Sequence, residues 1–240
     1  MEFCQSYKNQ VNIPFGCVAI PEYLNKGKIE ALGSSGCYHV QMGVQSLNEE
    51  ICSQVLKRGL DRAKISEAIY LLRNAGIVVQ VDHMLGIPGD TIGLEEESVL
   101  FYNKFRPHVI GTYWLAYYPK TKITETARLK GLVSEQDIVE MNEGRGRFTI
   151  KNPSHNSADS KRYGPYYGIL VLLQYLPLLP RWLVRFIVKR KLYQVFALKN
   201  YFIAALIPSL FLAFSHPKNF IYRKHFNWFI NRLFYKAKLA

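Results

Sequence analysis

The last third of this 240-residue chain lacks acidic residues altogether. Residues 161–240 hold fourteen Lys or Arg and not one Asp or Glu. The other seventeen basic residues and all eighteen acidic ones fall in 1–160, a nearly neutral stretch at a net −1. The overall +13 therefore comes from one end of the chain. That excludes a uniformly basic domain and predicts two segments with different tasks. Cysteine is sparse: Cys4, Cys17, Cys37 and Cys52 are the full set, and none lies within ten residues of another. Without a C-x-x-C or similar spacing, a self-contained zinc site is not expected. Free thiols suit a reducing, cytoplasmic setting. The opening "MEFCQSYKNQ" has no apolar run, so no signal peptide is expected. Long apolar runs are missing as well. The two longest charge-free runs, Tyr163–Pro180 and Asn200–His216, are each interrupted by proline. Both fall short of the roughly 20 apolar residues that cross a bilayer.

What is present reads as alternating strands and helices. "VNIPFGCVAI" (11–20) predicts a strand, and "PEYLNKGKIEALGSSG" a helix ending near Gly33. "YHVQMGV" (38–44) is a strand, and a helix follows Asn48 to about Lys57. A second helix begins near Asp61, with Ile65, Ala68, Ile69, Leu72 and Ala75 at helical spacing and Gly76 as its stop. "IVVQVDHML" (77–85) is a strand whose near-continuous apolar start suits burial on both faces. "TIGLEEESVLFYNKF" is a helix with acidic residues toward the positive end of its dipole. "HVIGTYWLAYY" (108–118) is a strand and "TKITETARLKGL" a short helix. This alternation implies an α/β fold with a parallel sheet and right-handed crossovers. Ligands of such sheets bind at the strands' C-terminal ends, here "GVQS", "HMLGIPGDT" and "AYYPKT".

Three linked stretches carry a resemblance: "GCYHVQMGVQSLNEEICSQVLKRG", "AIYLLRNAGIVVQVDHMLGIPGDT" and "YYPKTKITETARLKGLV". Together they resemble the radical S-adenosylmethionine (radical SAM) superfamily, in particular the subgroup that often carries a cobalamin-binding domain. The match covers roughly residues 10–135. It implies the C-terminal part of a partial (β/α)6 barrel at 1–135; the change of composition at Lys161 sets off a basic, apolar helical region at 161–240, with a linker at 136–160 between them. The resemblance also implies S-adenosylmethionine bound at the barrel's C-terminal rim. Gln45 and Ser46 would face the ribose or methionine part. Arg58 would meet the methionine carboxylate with paired donors. Asp82 would accept from ribose hydroxyls. Gly86, Ile87, Pro88 and Gly89 would form a backbone wall near the adenine, and Tyr118 with Pro119 would close it.

One departure matters for function. The family holds a [4Fe–4S] cluster on three cysteines spaced C-x-x-x-C-x-x-C, and thiolates are the ligands such a cluster needs. No such triad occurs here. The resemblance therefore implies the C-terminal part of a longer enzyme, inactive alone, with a cysteine-bearing part or subunit as partner. Cobalamin enters only through the subgroup.

Plainer readings stand beside these. Gln45 and Ser46 could simply end a strand, Arg58 could be a surface charge at a helix end, and both glycines could only serve a turn. Asp82, among Val78, Val79, Val81 and Met84, needs a partner, either a ligand or an internal group. His83 should face the opposite side of the sheet and belong to helix packing or the surface. The four cysteines read as structural, and Tyr113, Trp114 and Tyr117 as core. The basic region is open to three readings: a helical cap with a solvated face, a peripheral contact with an anionic membrane through "RWLVRFIVKRK", or nucleic-acid binding, of which the last is the least expected. A small-molecule or lipid-like substrate fits the subgroup. The rival to an enzyme is a non-catalytic half-barrel that docks a partner or a membrane surface.

Overall fold

The structure is a computed structural model, and it describes residues 2–144, 148–149 and 157–195. The Asn200–His216 run and the rest of the basic tail lie outside them. Four parallel strands form the sheet in the order β1 (Phe15–Ala19), β2 (Cys37–Gln45), β3 (Val78–Leu85) and β4 (Val109–Trp114). Each follows its neighbour through a helical crossover: α2 (Lys26–Ser34), then α3 (Arg62–Asn74), then α4 (Ile92–Phe105). Strand order equal to chain order is the way a parallel barrel wall is wound.

Local chemistry sets the ends of these helices. Asn25, Asp61 and Thr91 each accept a backbone N–H of the first turn through their side chains, the capping that short polar side chains provide. Gly76 follows α3 with φ +68, the left-handed conformation that glycine adopts freely. Between β2 and α3 the helix after Asn48 is wound as a π-helix over Ile51–Val55, a form often found at functional sites.

The strand expected at 108–118 is broken. The register with β3 ends at the pair Leu85 and Trp114, the Leu115 N–H donating to the Leu85 carbonyl at 3.0 Å as the last bond to that strand, and β5 (Ala116–Tyr117) turns to pair antiparallel with β6 (Phe148–Thr149). Two helices go beyond the expected elements: α1 (Glu2–Gln10), and α6 (Glu135–Asn142), which crosses the expected boundary at 135/136 into the linker. A capping box of Ser134 and Asp137 starts α6. The short helix over "TKITETARLKGL" is α5 (Lys122–Leu129).

Period-two alternation sorts the sheet into two faces. Val40, Met42, Val44, Val79, Val81, Leu85 and Ile110 join Ile65, Ile69, Leu72, Val99 and Tyr102 of α3 and α4 in one core. Helices α7 (Ser157–Tyr175) and α8 (Arg181–Lys189) complete that core with Ile169, Leu170, Leu173, Val184 and Val188. Arg106, the left-handed cap of α4, donates to the carbonyls of Leu176 and Leu179. Asn103 donates to the Arg181 carbonyl at 3.0 Å. The α7–α8 corner is thus hydrogen-bonded to the end of α4. Among the described residues no helix is long and apolar enough to cross a membrane.

Candidate functional site

The sheet's other face, away from the helices, carries polar side chains. His39, Gln41 and Gly43 of β2 alternate onto it, as do Gln80 and Asp82 of β3 and Gly111 of β4. The Asp82 carboxylate is its centre. Gln41 Nε2 donates to Oδ2 at 2.5 Å, and Gln80 Nε2 donates to Oδ1 at 2.8 Å. A Cβ added to Gly111 would stand 2.8 Å from Asp82 Oδ1, so glycine is what lets β4 pass this close. Burial holds the His39 imidazole below its ordinary pKa, against a hydrogen bond with Gln80 and the nearby Asp82 charge. Two primary amides thus satisfy the buried Asp82, the internal-partner reading of this residue, and each oxygen keeps acceptor capacity.

At the C-terminal end of β2 the ladder shifts register between Gly43 and Gln45. Gln45 is left with φ +67, a conformation costly for a residue with a Cβ. Its side chain folds back over the sheet, placing Nε2 3.2 Å from where a Cβ on Gly43 would be. Its Oε1 is sealed from solvent and accepts no hydrogen bond from a described residue. Ser46 is committed locally: Oγ accepts from the Asn48 N–H at 3.2 Å, and its carbonyl accepts the Cys52 thiol. Arg62 Nε donates to the Leu47 carbonyl at 2.7 Å, drawing the segment after the π-helix back to the strand end. Arg58 lies in that segment, half-buried, its guanidinium in no hydrogen bond or ion pair with a described residue. Burial raises the Cys52 thiol's pKa, and the positive charges of Arg58 and Arg62 oppose the rise. Glu22, in the turn after β1, acts on the same thiol, and its Oε2 is buried without a partner among the described residues. Nothing in the sequence singled Glu22 out, because its neighbours come from other strands.

The turn after β3 is fixed from several sides. Gly86 and Gly89 have φ +77 and +100. The Gly86 N–H donates to Asp90 Oδ2 at 3.1 Å, and the Asp90 N–H to the Ile87 carbonyl at 2.8 Å. Tyr117 Oη donates to the Gly86 carbonyl, and Tyr166 Oη to the Asp90 carbonyl. Ile87 and Pro88 are buried. Tyr118 is 61% exposed and lends the site only its carbonyl, which accepts from Thr121 and Thr124. Of the aromatic stripe, Tyr117 is core, Tyr113 is exposed, and Trp114 is half-buried against Tyr166 and Tyr167.

Behind this turn, on the helix-covered face, lies a network the sequence did not reveal. His83 is fully buried. Its Nε2 lies 2.7 Å from Glu95 Oε2 and its Nδ1 3.2 Å from Tyr102 Oη. Asp90 meets Glu95 at the other end. Desolvation, then the charge of the neighbouring Glu95, push the Asp90 pKa up to about 9, against the backbone N–H groups of Gly86 and Thr91. His83 does face the helices, as alternation predicts, and it links α4 to the turn.

Residues 2–100 match the family model of the Radical SAM superfamily. These residues belong to that superfamily. A curated relative, tRNA uridine(34) acetyltransferase from Methanocaldococcus infernus, is 30% identical over 105 residues, 40% of this chain and 20% of its own length. Among solved structures, the radical S-adenosylmethionine methyltransferase TsrM from Kitasatospora setae, with cobalamin and a [4Fe–4S] cluster bound, is 17% identical. It gives a TM-score of 0.46 over 51% of this chain and 26% of its own. Coproporphyrinogen III oxidase (HemN) from Escherichia coli, a radical SAM enzyme, gives 18% and 0.45 over 55% and 30%. The archaeal Methanocaldococcus infernus Elp3 with an N-terminal deletion gives 24% and 0.43 over 54% and 32%. The chain thus spans about a fifth to a third of the proteins it matches.

Radical SAM chemistry calls for a [4Fe–4S] cluster, and the residues present do not fit one. Cys17 and Cys37 face each other at 4.0 Å, while Cys37 also donates to the His39 carbonyl. Cys52 is turned to Ser46, Cys4 is buried on α1, and all four are free. Among the described residues no three ligating side chains converge. At the other strand end, Gln45 offers a buried acceptor and Arg58 a guanidinium, neither with a partner among the described residues.

Proposed function

We propose that this chain supplies part of the S-adenosylmethionine pocket of a radical SAM enzyme whose cluster is held by a separate, cysteine-bearing part or subunit. The observation that carries the reading is Gln45: a strained backbone and an orphaned, buried amide oxygen at the end of a parallel strand. A strained position with an unmet hydrogen bond is costly unless a ligand uses it. A ribose hydroxyl donating to Gln45 Oε1 would satisfy it. Arg58 would take the methionine carboxylate, the turn Gly86–Gly89 would present backbone to the adenine, and Asp82 with its amide partners would line the floor. When bound and reduced at a cluster, S-adenosylmethionine supplies a radical for hydrogen abstraction or a methyl group, with cobalamin as a further carrier in one subgroup. The chain's own residues bind, orient and exclude water around a small-molecule or lipid-like substrate, and the setting is cytoplasmic.

A specific observation also favours the rival reading of a docking half-barrel. The outer edge of β1 has no strand beside it among the described residues. Val18 is 76% exposed there, with Phe3, Ile13, Ile20 and Tyr23 exposed in adjoining segments. An open edge beside apolar surface is built to be covered. The cysteine-bearing partner would cover it in the enzyme reading; any other protein would do so in the rival one.

Calorimetric titration separates the two. S-adenosylmethionine should bind the isolated chain weakly, with Kd above about 0.1 mM. It should bind tightly once the cysteine-bearing partner is added, and Gln45→Ala should weaken that binding. If no partner confers binding, or if Gln45→Ala, Arg58→Ala and Asp82→Ala all leave it unchanged, the docking reading stands instead.

A further inference from the structure

Helix α8 has two faces, and among the described residues one is buried in the core while the other is exposed, held to the fold through the Arg181 guanidinium, which donates to the Lys104 carbonyl at 3.4 Å. At 3.6 residues per turn, Leu183, Val184, Ile187 and Val188 fall on one arc. Val184 and Val188 are buried in the core, and Ile187 packs against it. Arg181, Trp182, Arg185, Phe186 and Lys189 occupy an arc of about 140° on the opposite side, and all five are exposed. Trp182 is 68% exposed and Phe186 48%. Arg190 and Lys191 extend the cationic row past the helix end, also exposed. None of these five basic side chains forms an ion pair with a described residue, and the sequence supplies no acidic residue from 161 onward.

We infer that the outward face of α8 is a docking surface for an anionic membrane. The inference is independent of the cofactor reading. Charge complementarity selects an anionic partner, because five unpaired cations within eleven residues repel one another unless counter-charge is provided. The two aromatics select lipid. Trp182 and Phe186 sit one turn apart beside the row Arg181, Arg185 and Lys189, so a helix lying flat can enter the headgroup boundary with its rings. Meanwhile the arginine and lysine stems reach up to lipid phosphates and carboxylates. A nucleic acid would meet the same charges, but a single helix face offers it no groove to follow. The anchoring also fits: α8 is fixed to α4 through Asn103, which donates to the Arg181 carbonyl, and through Arg181, which donates to the Lys104 carbonyl, while Arg106 holds the corner before it, so a membrane bound by its outer face would hold the sheet at a defined angle.

The test is co-sedimentation of the full chain with sucrose-loaded vesicles, of phosphatidylcholine alone or with phosphatidylserine. The expected result is binding at low salt to the serine-containing vesicles only. Arg185→Glu with Lys189→Glu should lower partitioning by on the order of tenfold or more, and Trp182→Ala with Phe186→Ala should lower it as well. All four side chains point outward, so thermal melting should be unchanged, and a variant that melts early is replaced by Arg185→Gln with Lys189→Gln. Three results would overturn the inference. These are no sedimentation at low salt, sedimentation indifferent to both double variants (which would place the lipid contact elsewhere in the basic region), and a single-stranded RNA oligonucleotide bound through the same arginines while vesicles are ignored.

Discussion

His83 Nε2 lies 2.7 Å from Glu95 Oε2, and both side chains are closed off from solvent. The pair joins β3 to the first turn of α4, directly behind the Gly86–Asp90 turn. An acidic residue at a helix start is ordinarily a surface partner of the dipole; Glu95 instead enters the core because His83 is there to meet it.

Removing the imidazole should therefore be expensive. His83→Ala leaves Glu95 buried without its partner and is expected to cost about 3 kcal/mol or more. Urea denaturation measures it. His83→Gln, which keeps a donor toward Glu95, should recover part of the loss.

Asp90 sets the pH dependence. Its carboxyl is neutral in the fold up to about pH 9, against an ordinary value of 3.8. Between those values the folded chain binds the extra proton, so this stabilisation is complete below the lower value and is lost as pH rises toward the upper one. Asp90→Asn keeps an acceptor for the Gly86 N–H and cannot ionise. Relative to wild type, the variant should gain stability from pH 5 to 8, by up to about 1.4 kcal/mol per unit. Denaturation midpoints across that range decide it, and a constant difference would sink the idea.

Gly111→Ala tests the floor of the open face. The added methyl would stand 2.8 Å from Asp82 Oδ1 and 3.0 Å from Gln80 Nε2, and Asp82 is held by two amides. Overpacking of about 1–3 kcal/mol is expected from equilibrium unfolding. A neutral result would show that the carboxylate moves freely.

Gln45→Gly should separate stability from function. Glycine adopts φ +67 without the clash of a Cβ, so stability should hold or rise by about 1 kcal/mol. S-adenosylmethionine binding in the presence of the partner should fall, since the unused carbonyl is gone. Parallel unfolding and calorimetric measurements check both; a loss of stability would mean that the side chain supports the fold.

Which parts were legible follows from the range of the interactions. Asn48, Asp61 and Gly76 punctuate helices through contacts a few residues away, and the sequence places those ends closely. The alternation of β3 assigns His83 and Asp82 to opposite faces. The break after Trp114 was not legible, because nothing local stops a strand whose next residues pair with a distant segment. One partner of Asp82 was hidden for a similar reason: Gln41 lies 41 residues away, on a strand brought alongside only by the parallel register, whereas Gln80 is two residues back on the same face of β3.

The sequence by itself determined the alternation of strands and helices behind a parallel sheet, the opposite faces of Asp82 and His83 on β3, and the lack of a C-x-x-x-C-x-x-C spacing among its four cysteines. These depend on periodicity, spacing and composition, which need no third dimension. Only the tertiary structure decided that Gln45 is strained with an unmet acceptor, that Glu22 and Arg58 approach the same thiol, and that His83, Glu95 and Asp90 form one buried network. Each of those depends on desolvation and on distances between groups far apart in the chain, and folding alone sets both.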